Sequence, residues 1–149
     1  MEITDVTRED VVTVYLDDTL LDVAEVLRNE RVGSAVVLDA HDEILGVVTD
    51  RDLVVYGQNF VDSLAHTTVN EVLSKDVFSV TPDVSVEELA ARMREEGVRR
   101  VPVVEDGELR GIVTLDDLIV LLADELDSQP LEDLAAVIES ESPPRSDAD

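Results

Sequence analysis

Val101-Pro102-Val103-Val104-Glu105-Asp106-Gly107-Glu108-Leu109-Arg110-Gly111-Ile112-Val113-Thr114-Leu115-Asp116-Asp117-Leu118 decides the fold. Val101–Val104 is an apolar run of strand length, and the Asp106-Gly107 that follows is a strong hairpin signal. Leu109–Val113 supplies the return strand. Thr114 and the acidic pair Asp116-Asp117 then open a helix over Asp116–Leu126, with carboxylates in the first turn, where the helix dipole favours them. Upstream, Val77–Val80 reads as a short strand and Ser85–Glu96 as a helix, so the whole stretch is β-α-β-β-α.

The same unit occurs earlier in the chain. With an offset of 66 residues, Val14 falls on Val80, Asp17 on Asp83, Ala24 on Ala90, Arg28 on Arg94, Glu30 on Glu96 and Val32 on Val98. One residue deleted in the loop near Ala40 changes the offset to 65, and Gly46, Thr49, Asp52 and Leu53 then meet Gly111, Thr114, Asp117 and Leu118. In this first copy Val11–Val14 is the leading strand, Asp17-Asp18-Thr19 the helix start, and Leu20, Val23, Ala24 and Leu27 the apolar stripe. Ala35–Leu38 and Ile44–Val48 follow as strands, and Thr49-Asp50-Arg51-Asp52 opens the second helix. A short helical lead-in such as Val69–Leu73 precedes the unit.

The expected fold class is therefore α+β, with repeats over residues 3–63 and 69–126 and a disordered acidic tail over 140–149. Residues 57–68 connect the copies and can extend the second helix of the first. A unit of about 60 residues buries too little surface to be comfortably stable alone. The copies are expected to pack on each other with pseudo-twofold symmetry, giving small clefts in pairs.

Of 149 residues, 36 are Asp or Glu and 11 Lys or Arg, for a formal charge of −25, yet 44% of residues are hydrophobic. That much apolar material excludes disorder throughout. The negative average field argues against nucleic acid and anionic membranes as partners. Lys75 is the only lysine. This balance resembles proteins of salt-loving organisms such as halophilic archaea, where salt screens self-repulsion; an acidic interaction protein is the other reading. No cysteine is present, which excludes thiolate metal sites and cysteine nucleophiles. The start, Met-Glu-Ile-Thr-Asp, lacks the features of a signal peptide, and no apolar stretch approaches the roughly 20 residues that cross a bilayer. A soluble cytoplasmic protein is expected.

The paired stretches Leu45-Gly46-Val47-Val48-Thr49-Asp50-Arg51-Asp52-Leu53 and Val98–Leu118 resemble the cystathionine-β-synthase (CBS) domain, over roughly residues 3–125. The resemblance implies a tandem CBS pair, packed sheet against sheet, that binds an adenosine-containing ligand (AMP, ADP, ATP or S-adenosylmethionine) in clefts between the repeats. It also implies a homodimer that regulates a partner protein in trans. A ligand-free dimerisation or scaffold module is the alternative, and an enzyme such as a nucleotide hydrolase a distant third.

The residues themselves support sites at Thr49/Asp52 and Thr114/Asp117. Each pair stands where a strand runs into a helix start, where unpaired backbone donors and the helix dipole favour an anion. Thr can cap the helix or donate to a phosphate or ribose oxygen. The Asp three residues on can close a capping box or accept from two ribose hydroxyls, and the resemblance implies the second. Simple capping is the other reading and the one that spacing alone favours; the resemblance favours a ligand at one site or more.

Arg51, Arg99 and Arg100 stand out against the acidic background as candidate phosphate ligands. Gly33 and Ser34 replace the last two in copy one, so the two clefts differ in charge. Pairing with surface acids is the other reading of these arginines. Val12, Thr13, Ala35 and Val36 in one cleft, and Phe78, Ser79, Val101 and Pro102 in the other, are candidates to flank adenine, with ordinary core as the alternative. No cofactor is obligatory. Asp50 with Asp52, or Asp116 with Asp117, could hold Mg2+ accompanying a nucleotide, although solvated acids are the better reading. His41 and His66 lie near no plausible nucleophile, and no catalytic residue is expected.

Overall fold

A computed structural model of the chain describes residues 3–57, 63–73, 78–126 and 129–141. The chain divides into two compact units, Val11–Phe78 and Met1–Asp10 with Ser79–Asp149.

In the first unit the strands are β1 (Thr13–Tyr15), β2 (Ser34–Leu38) and β3 (Ile44–Thr49), ordered β1-β2-β3. β1 runs parallel to β2, with Thr13 opposite Val36; β2 and β3 are antiparallel, with Ser34 opposite Thr49 and Val37 opposite Gly46. Helix α1 (Leu20–Glu30) starts on a complete capping box: the Thr19 hydroxyl accepts from the Asp22 N–H, and the Asp22 carboxylate accepts from the Thr19 N–H. Leu20, Val23 and Leu27 recur on one face of this helix and are buried against Val14, Ala35, Val37 and Val48 of the sheet. Fully burying side chains of this size contributes about 1.5–3 kcal/mol each. Helices α2 (Asp50–Gly57), α3 (Ser63–His66) and α4 (Val69–Val72) complete the unit. α3 is a separate short helix; residues 58–62 of the expected connection lie outside the described residues.

The second unit repeats the plan. Helix α5 (Val86–Glu96) is followed by the antiparallel pair β4 (Arg100–Glu105) and β5 (Glu108–Thr114), then α6 (Leu115–Leu126) and α7 (Gln129–Glu141). Arg100 lies opposite Thr114 and Val103 opposite Gly111, and the register slips after Val103 as it does after Val37 in the first unit. Of the expected strand 77–80, Val77 lies outside the described residues and Val80 pairs in parallel with Val103. Helix α7 has no counterpart in the first unit's sequence. Its Leu131, Ala135 and Ile138 pack on Val120 and Ala123 of α6. It runs to Glu141, two residues into the stretch expected as tail; residues 142–149 lie outside the described residues.

The lead-ins are exchanged. Val69, fully buried, belongs to the core of the first unit, where the Leu20 N–H donates to the Thr67 carbonyl at 2.9 Å and the Val69 N–H to the Asp18 carbonyl at 2.9 Å. The segment at the start of the chain, including the 3-10 turn Ile3–Asp5, belongs instead to the second unit. Ile3 and Val6 are buried, and Arg8 pairs with Ile112 of β5 through two main-chain hydrogen bonds of 3.0 Å. Each unit is thus closed by the lead-in that precedes the other copy.

Candidate functional site

At the junction of β3 and α2, the Thr49 N–H donates to Asp52 Oδ2 at 2.8 Å, and the Asp52 N–H donates to Thr49 Oγ1 at 3.2 Å. At the junction of β5 and α6, Thr114 and Asp117 make the same two bonds, each 3.1 Å. Both pairs are capping boxes with Asp in the place usual for Glu. The turns are anchored alike: the Asp50 N–H donates to the Gly33 carbonyl at 2.9 Å, and the Leu115 N–H to the Arg99 carbonyl at 2.8 Å. The capping interpretation of these residues is therefore realised. At Asp52 it leaves room for a ligand, since a carboxylate has about four acceptor positions and the cap uses one.

The turns differ in their surroundings. Asp52 is half-buried, whereas Asp117 is 2% exposed. The guanidinium of Arg8 covers Asp117, with Nε at 3.3 Å and Nη2 at 3.2 Å from Oδ1. Burying a carboxylate is costly unless an opposite charge pairs with it. Arg100, half-buried, stands opposite Thr114 in the ladder; Ser34 holds that place opposite Thr49.

Of the other residues singled out, Arg99 is exposed and engages its turn through its main chain only among the bonds just described. Arg51 is exposed in the first turn of α2, and Ser79 is exposed just before Val80. Thr13 is half-buried opposite Val36. Ala35, Val36, Val101 and Pro102 are buried in β2 and β4, the Val36 N–H donating to Val12 and the Pro102 carbonyl accepting from Val80. The structure thus gathers Thr114, Asp117 and Arg100, and separately Thr49 and Asp52.

Arg8 is the residue that inspection of the sequence passes over. Its pairing spans 109 positions, and only the exchange of lead-ins brings it to β5. The available signal is its rarity: it is one of ten arginines in a chain of charge −25. His41 and His66 are exposed, and among the described residues no group of three or more His, Asp or Glu is placed to hold a metal ion.

The family model of the CBS domain matches residues 3–58 and 69–124. The chain belongs to the CBS domain family. It is 34% identical over 116 residues to an uncharacterized protein of Methanopyrus kandleri, covering 77% of this chain but only 59% of that protein's length. Among solved structures, the CBS-domain containing protein ATU1752 from Agrobacterium tumefaciens matches with a TM-score of 0.73 at 29% identity, over 82% of this chain and 99% of that one. The CBS domain pair of protein MJ0100, in complex with 5′-methylthioadenosine and S-adenosyl-L-methionine, has the same fold, with a TM-score of 0.72 at 23% identity over 82% of this chain and 99% of that one.

Proposed function

We propose that this CBS pair is a regulatory module whose two capping turns bind an adenosine-containing ligand, AMP, ADP, ATP or S-adenosylmethionine, and that it signals to a partner protein in trans. The observation that carries this reading is the duplicated turn: Thr49/Asp52 and Thr114/Asp117 repeat the same hydrogen bonds at the same strand-to-helix junction. Each offers a carboxylate suited to a ribose diol beside a helix N-terminus suited to an anion. The ligand acts by population shift, favouring the conformation that binds it better, which the partner then reads. A homodimer is part of the proposal, supported by Val54, Val55 and Tyr56, which α2 leaves exposed.

Thermal unfolding in high salt with millimolar AMP, ATP and S-adenosylmethionine tests the reading. A ligand at about 100 times its Kd stabilises by about 2.7 kcal/mol, a clear rise in Tm. Asp52→Ala and Asp117→Ala each remove one binding event. A Tm that stays flat with every ligand favours the scaffold reading, in which both turns serve only as the caps they already form.

A further inference from the structure

Asp117 is engaged at both oxygens: Oδ2 accepts from the Thr114 N–H, and Oδ1 accepts from Arg8. The Arg8 side chain is 19% exposed, so this ion pair lies in a poorly hydrated place. Its main chain is clamped to Ile112, and Gly111 is what permits the close approach, since a Cβ there would stand 2.6 Å from the Arg8 carbonyl oxygen. The first unit is built differently. The position 66 residues after Arg8 is Ser74, which lies outside the described residues but carries no charge, and among the described residues no cation pairs with Asp52.

We infer that Arg8 is a specificity-determining residue: it makes the turn of the second unit select adenosine ligands whose 5′ extension is anionic and reject uncharged nucleosides. The inference rests on the reading of Asp117 as a ribose acceptor. A ribose diol that donates to Asp117 takes over the oxygen Arg8 holds and leaves the guanidinium without that partner. A neutral nucleoside offers nothing in exchange, and an ion pair broken on one side in a dehydrated place is strongly unfavourable. A 5′-phosphate offers a new acceptor that matches the guanidinium fork. The clamp to Ile112 keeps the Arg8 main chain beside the site while its side chain changes partner. Arg100, opposite Thr114, adds a second cation at this turn, where the first unit has Ser34. The Asp52 turn accepts a nucleoside with no cation to displace.

Calorimetry with AMP and adenosine on the full chain tests this. An Asp52→Ala background isolates the second turn, and there AMP should bind at least about tenfold tighter than adenosine, the difference expected of one charge-assisted hydrogen bond. Adding Arg8→Gln should tighten adenosine, weaken AMP and collapse the ratio to within about threefold. Should Arg8→Gln not fold, Arg8→Lys, which keeps the charge but loses the fork, should lower the ratio in the same direction. A ratio unchanged by the substitution overturns the inference while leaving the proposed function intact. Binding that survives only at the Asp52 turn of the wild type also overturns it. Absence of AMP and adenosine binding in the wild type, with S-adenosylmethionine and ATP equally inert, removes the proposed function and the inference together.

Discussion

Arg31 and Gly97, 66 residues apart, end their helices in the same left-handed conformation, at φ 57° and φ 65°. The fold demands this geometry at both places, because the chain must turn from α1 into β2 and from α5 into β4. Glycine adopts it without steric conflict; a residue with a Cβ does so at a disadvantage of roughly 1–2 kcal/mol. Arg31→Gly should therefore stabilise the first unit by up to about 1 kcal/mol, and Gly97→Ala, which meets no neighbouring atom, should destabilise the second by about 1 kcal/mol through conformation alone. Urea unfolding of the two variants checks the opposite signs.

Gly111 makes a different prediction, since its constraint is space. A methyl group there meets the Arg8 carbonyl oxygen at 2.6 Å and Thr7 more closely still. Gly111→Ala should push the segment around Arg8 off β5, expose Ile3 and Val6, and destabilise the second unit by about 1–3 kcal/mol. Hydrogen exchange at the Arg8 and Ile112 amides should accelerate. Undiminished protection at both amides in the variant contradicts the packing described above.

Asp39 responds to pH. Its carboxylate accepts the Glu43 N–H at 2.9 Å and the His41 N–H at 2.7 Å, and the bond from Glu43 above all holds its pKa below the ordinary value of 3.8. A depressed folded pKa contributes stability that is present above the ordinary carboxylate range and lost as pH falls through the folded value. Carboxyl NMR titration should show Asp39 protonating at lower pH than in an unfolded peptide, and Asp39→Ala should remove that share of the acid sensitivity. Titration at or above the peptide value sinks the assignment.

Val69 tests the exchange of lead-ins. It is fully buried in the core of the first unit, so Val69→Ala should destabilise that unit by about 2 kcal/mol. Amide exchange should quicken in α1 and β2. A response confined instead to α5 and β4 would falsify the assignment of this segment.

Most of the fold is legible in the sequence because it is local. The apolar stripe of Leu20, Val23 and Leu27 and the hairpin signal at Asp106-Gly107 lie within one element or one turn. The doubling of Thr49/Asp52 as Thr114/Asp117 is visible because repetition needs no structure. What inspection misses is long-range or unrepeated. Helix α7 lacks a partner copy, so the repeat gives no warning of it. Arg8 comes to Asp117 because the lead-ins trade places, and a pattern of two like copies contains no information on which lead-in closes which unit.

That trade orders events during synthesis. The first unit has all its parts once residue 78 has been made, and it can close while the rest of the chain is still being translated. The segment around Arg8, made before either repeat, has no strand to join until Ile112 exists. It waits, with Ile3 and Val6 exposed, until β5 has been made. At that stage another nascent chain's β5 is as good a partner as its own, so crowded polysomes are where intertwined dimers of this protein should arise.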